Sequence, residues 1–177
     1  MRMDDRRKRS AADWLRTIGV AELAKALREL ADEPDAEVIA ERIVAERELK
    51  PIESTLDLAR LVCRAKGLPE RVPDDGPKAH PAARSFQALR MLVNDERSQL
   101  EELLRQLPYC LRPGGRAAFL TFHSGEENLV RKAVAEGRRA GLYAEGPSEP
   151  LKPDAAERRR NPRSAPARLH LFRRRAD

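Results

Sequence analysis

The sequence predicts a helix-dominated α/β protein with a buried strand set between amphipathic helices. Alanine and leucine carry most of the apolar content, and only 4% of residues are aromatic, which favours helix over sheet. From His80 onward, Phe86, Leu89, Val93, Leu100, Leu104 and Leu107 recur at three- and four-residue steps. That is the period of one long amphipathic helix, with Ser85 placed to cap it and Pro108 to end it. Pro113-Gly114-Gly115 then turns the chain into Ala117–Phe122, a charge-free run suited to a strand covered on both faces, as in a parallel sheet. His123, Ser124, Glu126 and Glu127 follow at once, at the C-terminal strand edge where open α/β sheets place their ligands.

The first 66 residues read as a compact helical unit. Ser10 and Asp13 have capping-box spacing ahead of Trp14, whose simplest role is packing between helices. Val20, Leu23, Leu27 and Leu30 mark a second helix, broken at Asp32-Glu33-Pro34. Ile39 and Ile43 mark a third, which must stop before Pro51. Thr55 is placed to cap a fourth, bearing Leu58, Leu61 and Val62 and closed by Gly67. Residues 67–82, with four prolines and two glycines, form a linker to a second region, 83–177. There a further helix is expected over Glu126–Arg139, then an irregular stretch over 144–166 and a closing strand over Ala167–Phe172.

A hydrophobic fraction of 41% permits a core, thinned by 36% charged residues. The formal charge of +6 favours a polyanionic partner, although an arginine-rich composition gives the same bias without one. Cys63 and Cys110 fit no metal-ligand spacing, so no metal is expected and a reduced, cytoplasmic protein is the simplest reading. No apolar run approaches the roughly 20 residues of a membrane span, and the charged start, MRMDDRRKRS, has no apolar segment behind it.

The strand-end cluster has two readings. His123, Ser124, Glu126 and Glu127 are placed to position a polar group of a substrate through hydrogen bonds, a role that rests on placement more than on a strong base. Alternatively, Ser124 caps the next helix and the two carboxylates complement its dipole. Arg84, Gln87, Arg90 and Asn94 lie along one helix, either near a cleft and the phosphates of a polyanionic partner or on a solvated face with a few tertiary hydrogen bonds. Arg158, Arg159, Arg160, Arg163 and Arg168 surround Asn161-Pro162 without interleaved aromatics. This suits phosphate neutralisation better than base stacking, or else a solvated loop. His80 and His170 lack metal-ligand company and read as surface or loop histidines.

Three segments, HPAARSFQALRMLVNDE, LRPGGRAAFLTFHSGEENLVRK and NPRSAPARLHLF, resemble in order the C-terminal part of the bacterial 16S ribosomal RNA cytosine-N4 methyltransferase family (MraW/RsmH). The opening Met1-Arg2-Met3-Asp4 resembles that family's M-R-M-D segment, and Ala40–Arg47 with Pro51–Thr55 resemble its helical insert. The resemblance implies a class I, Rossmann-like methyltransferase sheet with an inserted helical subdomain. It also implies S-adenosylmethionine as donor and a cytidine of small-subunit ribosomal RNA as acceptor. There His123, Ser124, Glu126 and Glu127 become the expected catalytic cluster, and Arg84, Arg90, Arg158, Arg159, Arg163 and Arg168 the expected RNA contacts.

Departures qualify that expectation. The family's S-L-E-D-R is here Ser124-Gly125-Glu126-Glu127-Asn128, Ala165-Pro166 stand near Arg163 where R-S is expected, and the insert's G-E-E is replaced around Asp32-Glu33-Pro34. No G-x-G loop follows a strand, so the donor cradle is not visible and cofactor-binding residues stay unassigned. The chain is therefore expected to be a C-terminal portion: a split-enzyme subunit, a truncated product, or a degenerate relative. Its expected partners are small-subunit ribosomal RNA and an N-terminal half as a separate chain, with a homo-oligomer also open. The rival expectation is a non-catalytic RNA-binding or interaction protein derived from the family.

Overall fold

The computed structural model describes residues 1, 3, 9–70, 80–147 and 149–176. Its helices are α1 (Ala11–Thr17), α2 (Val20–Ala31), α3 (Ala36–Leu49), α4 (Thr55–Ala65), α5 (Ala83–Asn94), α6 (Glu96–Cys110), α7 (Ser124–Arg139) and α8 (Ala155–Arg160). The strands are β1 (Arg116–Thr121) and β2 (Arg168–Arg173), the latter preceded by a 3-10 turn at Pro162–Ser164. The chain divides into two compact units, Met1–Glu96 and Arg97–Asp177. The boundary thus falls after α5, beyond the expected linker, of which residues 71–79 lie outside the described residues, as do Arg2 and Asp4 of the M-R-M-D segment.

In the first unit α2 packs on α3 and α5, and α1 lies against α3 and α5. Leu15, Leu23, Leu27, Ile39, Ile43, Leu58, Leu61 and Leu89 share one core, each buried side chain worth about 1.5–3 kcal/mol. Local chemistry sets the helix ends. Ser10 and Asp13 form the expected capping box, and the Arg9 guanidinium lies 4.0 Å over the Trp14 ring. Asp32 ends α2 in the left-handed region at φ 48°, which a short polar side chain tolerates. Ser54, not Thr55, caps α4: its hydroxyl accepts from Asp57 N–H, and Thr55 is already helical.

Long side chains then close helix ends across the unit. Arg47 Nη1 donates to the carbonyls of Leu15 (2.9 Å) and Ile18 (2.6 Å), Gln87 to Leu30 O and Arg84 to Asp32 O. Carbonyls at a helix C-terminus run past the helix's own ladder of donors, and these side chains reach them. Asn94 Oδ1 accepts from Met3 N–H and Asn94 Nδ2 donates to Met1 O, tying the M-R-M-D segment to the V-N-D-E motif. Glu33 is fully buried and its Oε1 lies 2.7 Å from Lys66 Nζ.

The expected single long helix is two. Asp95 adopts φ 52° and its N–H bonds to Met91 O, ending α5. Ser85 does not cap: it is fully buried inside α5, and His80 prepares the helix start by accepting Ala82 N–H on Nδ1 at 3.1 Å. Pro108 lies inside the last turns of α6 rather than after them. Stretch 144–166 is not wholly irregular, since α8 and the 3-10 turn fall within it.

In the second unit β1 and β2 pair antiparallel, with Phe119 opposite His170 and Ala117 opposite Phe172. The expectation of a strand covered on both faces fails among the described residues. Burial along β1 alternates, so one face meets the helices and the other meets solvent. The inner face joins Phe119 and Phe172, stacked at 5.8 Å, to Leu104 of α6 and Val130 of α7. Tyr143 closes this core edge-on to Phe172 at 4.8 Å.

Candidate functional site at the end of the first strand

The β1–α7 junction brings together part of the expected cluster. His123 is the N-cap of α7, and its Nδ1 accepts Glu126 N–H at 3.3 Å. The Glu126 carboxylate reaches back, Oε2 accepting Phe122 N–H at 3.0 Å. Histidine and glutamate therefore clasp the helix start from both sides, differing from a capping box in that the carboxylate takes the N–H of Phe122, one residue before the N-cap. The capping residue is His123, where the sequence points to Ser124. A Cβ at position 125 would sit 3.2 Å from His123 Nδ1, so Gly125 leaves the ring room to fold onto the helix start.

This geometry fixes the proton. An Nδ1 that accepts a hydrogen bond is unprotonated, so the neutral ring carries its hydrogen on Nε2. Nε2 comes within 3.2 Å of Glu126 Oε1 but without hydrogen-bond geometry, a close electrostatic contact only. Glu127 turns the other way, 3.7 Å from Arg131 along α7, and Ser124 is exposed.

A second histidine joins this region, against the expectation of a surface position. His170 is buried, with Nε2 3.3 Å from Thr121 Oγ1. The Thr121 hydroxyl also lies 3.4 Å from Arg168 O, and the direction of its bond with Nε2 follows the tautomer of the ring. The alternation Leu169, His170, Leu171, Phe172 holds the signal, because it places His170 on the same face as the buried Phe172. Burial pushes its imidazole below the usual 6.5, with Glu127 acting upward and Arg131 downward.

A depressed folded-state value means the unfolded chain binds the proton first. Stability is then complete above about pH 6.5 and declines as pH falls through the lower, folded value. His170→Gln is expected to flatten the acid limb of urea midpoints measured between pH 7 and 5; an unaltered limb would assign it to other groups.

The basic residues divide by unit. Arg90 is held in a two-pronged pair with Glu96 at 2.8 and 2.9 Å, and Arg84 is engaged with Asp32 O. In the second unit Arg158, Arg159, Arg160 and Arg163 are exposed around α8 and the 3-10 turn, while Arg168 bonds to the Ala165 and Ala167 carbonyls. Among the described residues no group of three His, Cys, Asp or Glu side chains is placed to hold a metal ion, and no helix is long and apolar enough to cross a membrane.

The profile of the MraW methylase family matches residues 1–175. The chain belongs to that family. Relatives of this MraW-family chain include the ribosomal RNA small subunit methyltransferase H of Methylococcus capsulatus, 37% identical over 99% of the chain and 60% of that protein. The protein of the same name from Thioalkalivibrio sulfidiphilus is 39% identical over 97% of the chain and 57% of its own length. That from Caulobacter vibrioides is 45% identical over 88% of the chain and 47% of its own length. The MraW-family chain thus spans about half to three-fifths of the length of these curated relatives.

The described residues do not by themselves fit a methyl-donor cradle. The one Gly-Gly turn spends both amides internally: Gly114 N–H donates to Arg175 O and Gly115 N–H to Arg112 O. A Cβ at Gly115 would lie 2.7 Å from Arg112 O, so the glycine serves the turn into β1.

Proposed function

We propose that this chain forms the acceptor-side portion of an S-adenosylmethionine-dependent methyltransferase that modifies N4 of a cytidine in small-subunit ribosomal RNA. The family match over residues 1–175 carries this reading, supported by relatives named ribosomal RNA small subunit methyltransferase H. The donor contacts, in this reading, come from polypeptide outside residues 1–177, and the sheet joins a larger Rossmann-like one. His123, Glu126 and Glu127 line the acceptor side, with Ser124 exposed beside them. In this role the His123–Glu126 cap acts as a rigid positioning element, because Nδ1 is already committed to the helix.

The test combines the chain with the part of the Methylococcus capsulatus relative that lies outside the matched stretch. Small-subunit particles are then digested and assayed for N4-methylcytidine. Methylation by the pair is expected; methylation by the 177-residue chain alone would overturn the assignment of the donor site elsewhere. A second reading, a non-catalytic RNA-binding protein, is favoured by the commitment of the His123 ring to a cap. Failure of the pair to methylate while RNA binding persists would select it.

We assign the RNA backbone contact to Arg158, Arg159 and Arg163, which are exposed, adjacent, and free of ion pairs with the described residues. Replacing all three with alanine is expected to reduce the slope of log affinity against log salt by roughly 2 to 3, close to one for each phosphate that is no longer neutralised. An unchanged slope would return these arginines to solvent.

A further inference from the structure

A cleft of about 210 Å³ opens between α7 and the chain that follows Tyr143, within the second unit. Arg131 and Arg138 line it from α7, His170 and Phe172 from β2, and Glu149 and Pro150 from the segment between. The two arginines stand seven residues apart, so two helical turns, roughly 10 Å, separate their backbones on one face. Side chains of that length can converge on a guest held between them.

Arg138 has donors to spare. Its Nη2 donates to Pro147 O at 3.1 Å, while its Nε is buried with no acceptor among the described residues. A Cβ at Gly146 would lie 3.3 Å from Nη2, so the glycine leaves the guanidinium room beneath this segment. The Nε–H and one Nη–H of arginine form a parallel fork matched to two oxygens of one anion. An acceptor at that fork would relieve the cost of a buried, unpaired donor.

The neighbours of Arg138 are equally open to a guest. Arg131 is held loosely, 3.7 Å from Glu127 and 3.5 Å from Glu149, whose side chain is 68% exposed. An exposed pair of this kind is weak enough to exchange. His170 turns Nε2 to Thr121 Oγ1, which leaves Nδ1 for the cleft.

Size and charge select the occupant. Sites for drug-sized molecules run from about 300 to 1,000 Å³, so this cleft is too small to enclose a nucleotide. At about 30 Å³ per water it equals roughly seven water molecules, room for a small anion. A single carboxylate would only repeat what Glu149 already does for Arg131. A phosphate monoester carries a charge of about −1.5 to −2 at pH 7 and three acceptor oxygens, enough to engage both guanidiniums and the imidazole together.

We propose that this cleft is a binding site for a small dianionic phosphoryl group, either free phosphate or a monoester whose remainder stays in solvent. Arg138 takes two oxygens through Nε–H and Nη–H, and Arg131 exchanges Glu149 for a third. His170 donates from Nδ1–H while Nε2 accepts from the Thr121 hydroxyl. The site does not depend on the methyl-transfer reading, and its test reads binding rather than activity.

The experiment titrates the 177-residue chain with inorganic phosphate, methyl phosphate, dimethyl phosphate and acetate at an ionic strength of about 0.15 M, followed by calorimetry and NMR. Phosphate is expected to saturate one site, shifting the Arg138 Nε–H resonance and the ring resonance that is absent from His170→Gln. Methyl phosphate binding as tightly as phosphate identifies a monoester as the ligand, and weaker binding identifies free phosphate. Acetate and dimethyl phosphate, each singly charged, are expected to bind at least tenfold more weakly. Equal affinity for acetate overturns the site by reducing it to a carboxylate exchange; equal affinity for dimethyl phosphate overturns it by assigning the cleft to a nucleic-acid backbone.

Arg138→Gln and Arg138→Lys should each lose at least tenfold, because lysine restores the charge without the fork. Arg139→Gln removes the neighbouring exposed charge outside the cleft and should change affinity less than twofold. Glu149→Gln removes the competing carboxylate and should tighten binding severalfold. No saturation overturns the site, as does a loss in Arg139→Gln equal to that in Arg138→Gln, or a Glu149→Gln variant that binds no better than wild type. Should the Arg138 variants unfold, Arg131→Gln decides: it is expected to weaken phosphate severalfold while keeping the wild-type melting curve, and unchanged affinity overturns the site.

Discussion

Replacing Glu33 with alanine is expected to destabilise the first unit on the order of 3 kcal/mol, because it leaves a buried ammonium without its partner. The Lys66 side chain is only 12% exposed and that of Glu33 is fully buried. Glu33 Oε1 also accepts Asp35 N–H at 3.3 Å, so the carboxylate ties the α2–α3 corner to the end of α4. Among the described residues the remaining acid beside Lys66 is Asp35, 3.6 Å away and itself half exposed. Trp14, the sole tryptophan, lies in this unit, so its fluorescence during urea unfolding reports the effect. Glu33→Ala/Lys66→Met should recover most of the loss, since an apolar replacement of both partners removes the stranded charge. A single variant as stable as wild type would show that the pair contributes nothing.

Gly137→Ala should damage the second unit by on the order of 2 kcal/mol through overpacking. A Cβ there would lie 2.3 Å from Tyr143 Cδ2 and 2.5 Å from Cε2, and the neighbour is a buried ring in edge contact with Phe172. The backbone cannot yield easily, because Gly137 O accepts the N–H groups of Leu142 and Tyr143 as α7 ends. Amide exchange in β2 and α7 should accelerate, while that in α2 and α3 stays unchanged. Adding Tyr143→Ala should cost less in the Gly137→Ala background than alone, the signature of two side chains competing for one space. Equal costs in both backgrounds would mean that the ring never met the new methyl.

The sequence is most readable where one residue decides a helix end. Ser10 with Asp13 and the stop before Pro51 are legible this way, since capping and proline restrictions act within a few residues. Asp95 escapes such a reading because the apolar rhythm from Phe86 to Leu107 runs through it, and one residue in the left-handed region leaves no mark on that rhythm. The same limit hides the capping role of His123, as histidine is not among the usual N-cap residues. The fully covered strand is an expectation from composition alone: Ala117–Phe122 is apolar on both sides, yet only one side finds a neighbour within the unit. The buried His170 requires reading alternation through a short strand rather than searching for ligand company.

Asn94 has a consequence for biosynthesis. Met3 N–H and Met1 O bond to a side chain 91 and 93 residues further along. At ribosomal elongation rates of about 5–20 residues per second, roughly 5–20 seconds separate the two ends of that clasp. The opening segment must leave the exit tunnel unlatched and wait for Asn94 to appear. The last stitch of the helical unit is therefore made only when most of its helices have already been synthesised.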